Sequence, residues 1–226
     1  MPRLAFVLLL GISALAARAQ DTVALLGQID GDFYSSPTGA FRVKIPVSRD
    51  FGATISDTSN VVTFSDSFST HVSIAAWPLD ATQRWELSTR GTKDYLVYFF
   101  TNFVLPDFKA TFKDTQVEKN ALFVPTFVDG AFIAYLSIPG GSMFSSQNAV
   151  IDPNFKPRPA KRANLLFVKN GLIFVLSAEL AERVTEGTAY TMTPDEENTS
   201  LRERLMDIVN TMQFAKSPDA SPAPPK

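Results

Sequence analysis

Two dipeptides constrain the fold of this chain more than anything else in it. Asp129-Gly130 separates the apolar run Ala121–Val128 from Ala131–Ile138, and Asn170-Gly171 separates Asn164–Lys169 from Leu172–Leu180. Asp-Gly and Asn-Gly supply the positive φ angles of a type I′ turn, whose twist matches two paired antiparallel strands. Four strands in two hairpins are therefore expected, and with them an antiparallel sheet.

Further strands precede them. Ala40–Val47 sets Phe41, Val43, Ile45 and Val47 against Arg42, Lys44 and Pro46, the period of two of a strand with one buried face. Phe33-Tyr34 forms a lead-in strand before the turn at Pro37-Thr38-Gly39. Val61–Phe64 and Thr70–Trp77 complete the strand set, the second with Val72, Ile74 and Ala76 on one face and His71, Ser73 and Ala75 on the other.

Two helices stand out. Over Thr92–Leu105 the residues Tyr95, Leu96, Phe99, Phe100, Phe103 and Val104 make one broad apolar stripe. Thr92 caps it after Gly91, and Pro106 is expected to end it. The last helix opens at Thr193-Pro194-Asp195-Glu196, a capping box with proline at the first helical position. Leu201, Leu205, Ile208, Val209 and Met212 form its core stripe, and Trp85-Glu86-Leu87 adds a short helical turn. The expected fold is a single α+β domain, an antiparallel sheet of about six to seven strands packed against two main amphipathic helices. The 19 phenylalanines fall mostly on the inward stripes and read as core.

The ends read differently. Arg3, the apolar run Leu4–Ala17 and the small residues of Ala17-Arg18-Ala19 make a secretory signal peptide over residues 1–19. The run is too short to span a bilayer, which needs about 20 apolar residues. Cleavage removes Arg3 and Arg18 and moves the formal net charge from −2 to −4. Residues 20–29 form a lead, residues 30–215 the folded domain, and the proline-rich 216–226 a disordered tail. Localisation is expected to be exported, periplasmic or extracellular. With no transmembrane anchor after cleavage and no cysteine to carry a lipid or a disulfide, the core must hold the fold. Asn198-Thr199-Ser200 is a glycosylation sequon at the start of the last helix.

Four loose signatures, taken in order, resemble the PsbP-like and DcrB-like fold group. They are Phe33-Tyr34 through Gly39-Ala40-Phe41-Arg42-Val43-Lys44-Ile45-Pro46, then Gly130-Ala131-Phe132-Ile133-Ala134-Tyr135, then Asn170-Gly171-Leu172-Ile173-Phe174-Val175-Leu176, and the terminal helix running to Ile208–Phe214. The resemblance implies an antiparallel sheet sandwiched by helices, and an accessory, assembly or binding role rather than an enzymatic one. The chain departs from the lipoprotein members of the group in lacking the lipid-bearing cysteine, and no motif carries over a particular partner.

The search for chemistry returns little. His71 is the single histidine, on the polar side of a strand, and no G-x-S-x-G elbow accompanies it. No catalytic residue, metal set or cofactor is expected. Asp30-Gly31-Asp32 reads as a turn and Asp195-Glu196-Glu197 as an acidic first turn favoured by the helix dipole. A near-neutral charge balance gives no footprint for nucleic acid. One surface feature rises above background: Lys156, Arg158, Lys161 and Arg162, four cations within seven residues of a long loop from Pro139 to Ala163. Such a loop could attract an anionic lipid, a cell-wall polymer or an acidic partner; the plainer reading is a solvated loop stiffened by prolines. The expected function is an exported, non-enzymatic accessory or binding protein whose partner is an unknown protein or envelope component. Two alternatives stand beside it. One is a hydrolase built on carboxylates or His71. The other is a carrier holding a small apolar ligand between helix and sheet near Phe99, Phe100 and Phe103.

Overall fold

In the computed structural model, residues 24–144 and 158–215 are described. The segment 1–19 read as a signal peptide, Lys156 and the segment 216–226 read as a tail lie outside them. Strands β1 (Gln28–Asp30), β2 (Phe33–Ser35), β3 (Phe41–Lys44) and β12 (Gln213–Phe214) form a small sheet in the order β1-β2-β3-β12. The main sheet holds β4 (Thr54–Asp57), β5 (Val61–Ser65), β6 (His71–Pro78), β7 (Gln116–Val117), β8 (Leu122–Val124), β9 (Ala131–Ile138), β10 (Ala160–Lys169) and β11 (Leu172–Glu179). Its order is β4-β5-β6-β11-β10-β9-β7, with β8 also on the outer edge of β9. All its pairings are antiparallel. The α+β class read from the sequence holds, with part of the strand set moved into a second sheet.

Both faces of the main sheet are covered. One carries the small sheet and, after the short helix α3 (Glu182–Thr185), α4 (Pro194–Asn210): Tyr34, Phe41 and Val43 meet Phe64, Ile74 and Phe174, and Leu201, Leu205 and Ile208 close the cluster. The other carries α1 (Ala81–Phe99), α2 (Leu105–Thr111) and the five-residue π-helical turn Phe100–Val104 between them. There Tyr95, Leu96, Phe99 and Phe100 pack on Phe132, Leu136, Leu166 and Val175. Two covered faces explain why β9, β10 and β11 are buried almost throughout rather than at alternate positions.

The Asn170-Gly171 hairpin forms as expected. Lys169 pairs with Leu172, and both loop residues have positive φ, +51° and +76°. The Asp129-Gly130 hairpin is wider than the type I′ turn expected. Val124 pairs with Ala131, and positive φ begins at Val128. Pro125 follows the strand, and a proline gives no N–H to the ladder, so β8 stops at Val124.

Three boundaries are corrected. Residues 81–90 form a full helix capped by Asp80, whose carboxylate accepts the Gln83 N–H at 2.7 Å, rather than a short turn at Trp85. Pro106 does not end the second helix. In the π turn the Leu105 N–H donates to Phe100 O, so α2 starts afresh and Pro106 lies in its first turn, where a missing N–H is tolerated. The loop expected to run to Ala163 ends earlier, because β10 begins at Ala160 and takes in Lys161 and Arg162.

Candidate functional site

The sheet face beneath α1 and α2 is not filled. A cavity of about 540 Å³ lies between the sheet and the helical turns. Its floor is Ser73 and Ala75 of β6, Asn164 of β10, and Val175 and Ser177 of β11, with Val61 and Trp77 at the margins. Its roof is Phe99, Phe103, Val104 and Phe108, with Asp107 at the rim.

The sequence sets this geometry. Ser73 pairs with Ser177, and Ser177 with Asn164, so these three polar residues form one row across three adjacent strands. The next row, Ala75 and Val175, is apolar. A row of small side chains on the floor leaves space that leucines would fill. Overhead, the π turn adds one residue to a helical turn. That rotates the following side chains by about 100° relative to an uninterrupted α-helix, where 3.6 residues make a turn. Val104 and Phe108 then share the roof with Phe99 and Phe103. The Phe99 and Phe103 rings lie 4.9 Å apart, and Phe103 keeps 45% of its surface exposed. Phe100 points elsewhere, buried against Phe132 at 5.7 Å between ring centroids.

One polar group on this floor is unusual. Asn164 is fully buried, and among the described residues neither its Nδ2 nor its Oδ1 has a hydrogen-bond partner. Buried polar side chains are nearly always paired. The Asn170-Gly171 hairpin sets Asn164 opposite Ser177, but no feature of the sequence singled out Asn164, because Ser73 of β6 and the helices that cover the row come from far along the chain.

The four cations expected on a solvated loop have different fates. Lys156 is outside the described residues. Arg158 is exposed and stacks over the Tyr190 ring at 5.1 Å. Lys161 and Arg162 are corrected: both are strand residues, 0% and 9% exposed. The Lys161 Nζ lies 2.9 Å from Glu197 and 2.9 Å from Glu118. Arg183 and Tyr190 converge on the same Glu197 carboxylate at 2.7 and 2.5 Å. Burial alone would raise the Glu197 carboxyl, but the Tyr190 hydroxyl, Lys161 and Arg183 more than offset it and hold it below the usual carboxylate range. Arg162 donates to Glu179 and to Gly141 O at 3.1 Å, while Ser142 and the Met143 N–H complete the Glu179 shell at 2.6 and 3.1 Å. Long aliphatic stems and a nearby carboxylate let a cation enter a core; the run of cations alone does not reveal such pairing.

His71 opens β6. Burial, and then the charge of Arg162, lower its pKa to about 4, so it is neutral near pH 7. Among the described residues no hydrogen bond joins its side chain to a serine or a carboxylate, and no group of three or more His, Asp or Glu is placed to hold a metal ion. Asp30 pairs with Arg42 at 3.0 Å beside the β1–β2 turn, and Glu196 completes the capping box with Thr193. Asn198 of the sequon is 8% exposed, packed between helix and sheet rather than presented on a surface loop. No helix among the described residues is long and apolar enough to cross a membrane.

No family model and no curated protein matches the chain. Among solved structures it is similar to the cyanobacterial PsbP, CyanoP, of Synechocystis sp. PCC 6803, at 14% identity over 84% of this chain and 99% of that one, with a TM-score of 0.49. It is also similar to the Saccharomyces cerevisiae Ran-binding protein Mog1p, at 8% identity over 84% and 96% of the two chains, with a TM-score of 0.47. A Bacteroides thetaiotaomicron protein is similar at 10% identity and a TM-score of 0.42; the match spans 86% of this chain and 52% of that one.

Proposed function

We infer that this chain is an exported, non-catalytic binding protein, and that it binds a small, largely apolar molecule in the cavity between its aromatic helical turns and the sheet. The observation that carries this reading is the cavity itself, about 540 Å³, with an aromatic roof and a floor of small side chains with a few polar groups. Small-molecule sites have this form and this size range. Export is supported by the charged start, short apolar run and Ala17-Arg18-Ala19 of the first nineteen residues. A non-catalytic role fits a histidine that is neutral near pH 7 and whose side chain makes no hydrogen bond to a serine or a carboxylate among the described residues.

The test is a titration with Nile red, a neutral apolar dye whose emission rises out of water. The expected result is saturable one-to-one binding that is lost in Ala75→Phe, which fills the floor of the cavity. Dye binding that persists unchanged in a natively folded Ala75→Phe protein, as judged by circular dichroism, overturns the reading. For the enzymatic part, a turnover found in a broad substrate screen and abolished by His71→Ala would replace it with a hydrolase.

A further inference from the structure

Asn164 constrains what the cavity takes. Its amide is fully buried and both its polar atoms are unpartnered, although leucine has nearly the same shape. Leaving a buried polar group unpaired forfeits the hydrogen bonds it would make to water in the unfolded chain. The same side chain lines the cavity, in a row with Ser73 and Ser177, under walls that are otherwise mostly apolar.

The chemistry of the amide selects its partner. Asparagine offers two N–H donors and one acceptor oxygen side by side in a plane. A head group that satisfies both must itself present an acceptor and a donor side by side. An ionised carboxylate only accepts, so it would leave Oδ1 facing a negative charge, and Asp107 at the rim repels it further. An ammonium only donates and leaves Nδ2 unpaired. The cation on the same face of β10, Arg162, is already bonded to Glu179 at 3.1 Å and is not free to receive an anion.

We propose that the ligand is a neutral molecule with an apolar body and a carboxamide or lactam head, paired in plane with the Asn164 amide. This rests on the cavity-binding reading above. Neither amide atom touches solvent, so the pairing requires the amide to turn toward the cavity that it lines. The terminal torsion of asparagine is broad enough for this.

The experiment follows Trp77, which lines the cavity, by fluorescence in a Trp85→Phe background; the chain has two tryptophans. Three probes share one tail: octanamide, methyl octanoate, which accepts but cannot donate, and octanoate. Octanamide is expected to bind at least tenfold more tightly than either of the others. Asn164→Leu is expected to make amide and ester equal and to raise Tm by about 3 °C or more, the shift that relief of about 1 kcal/mol produces in a domain of this size. Asn164→Ala, which removes the amide without filling its place, is expected to lose the preference as well. Ester or octanoate binding as tightly as octanamide overturns the proposal while leaving the cavity reading intact. So does an amide preference that survives in Asn164→Leu, or a lower Tm for that variant. Binding of none of the three probes overturns both.

Discussion

Lys161 is enclosed by Glu197 and Glu118, each 2.9 Å from its ammonium. Removing Lys161 leaves Glu197 with Arg183 and Tyr190 but takes a charge-assisted hydrogen bond out of a buried cluster, which costs about 1.5–3 kcal/mol. Lys161→Met is therefore expected to lower the unfolding free energy by that amount in urea denaturation. Arg158→Ala, at an exposed position, is expected to stay within about 0.5 kcal/mol of the parent. The same residue scale sets the response to acid. An unfolded histidine titrates near 6.5, but His71 in the fold titrates at about 4, so between these values the unfolded chain binds more protons. Stability is thus expected to fall as pH drops from about 6.5 to about 4. Glu197, held below its usual range, adds a loss at lower pH, as acid reaches its lowered pKa. Melting temperatures measured across pH 4–8 check this, and His71→Gln is expected to flatten the curve above pH 4. The sequence could show that these cations and His71 exist. It could not show their pairing, because Glu118, Glu179 and Glu197 reach them only through strand register and helix docking.

At the scale of elements, local chemistry was legible where it is decided locally. The Asn170-Gly171 turn and the Thr193 capping box need only neighbouring residues, and both formed as read. Thr193→Ala is expected to cost about 1 kcal/mol, the usual value of an N-cap, read as a lower urea midpoint. Gly91 is a second local device. Its φ of +76° and ψ of 165° break α1 into two stretches, and that region is open to glycine almost alone. No atom lies within 4 Å of where its Cβ would sit, so the cost of Gly91→Ala is conformational, about 1–3 kcal/mol in the same assay. The π turn and the continuation through Pro106 were not legible. They depend on how Phe99, Phe100 and Phe103 settle on the sheet, and a proline signal taken alone ends a helix. The short strands β1, β4 and β7 were missed as well, being two to four residues long with mostly exposed or half-buried side chains.

At the scale of the whole molecule, a main sheet covered on both faces divides the work. The face under α4 and the small sheet is closely packed around Phe167, Phe174 and Phe214, whose rings lie 4.9 to 5.7 Å apart. The face under α1 and α2 keeps a void whose floor crosses β6, β11 and β10. A cavity near Phe99 and Phe103 was foreseeable from the aromatic stripe, since both rings line the roof, whereas Phe100, read as part of the same place, packs against Phe132 instead. The floor was not, because its polar row joins residues about a hundred positions apart. The most direct measurement is an NMR titration of the ¹⁵N-labelled chain with octanamide. Saturable shifts are expected, confined to residues around the cavity and including the Asn164 side-chain NH₂ and the backbone amides of Ser73, Val175 and Ser177. Saturable shifts confined to the opposite face, around Leu201 and Leu205, or no shifts at all, would contradict binding in the cavity.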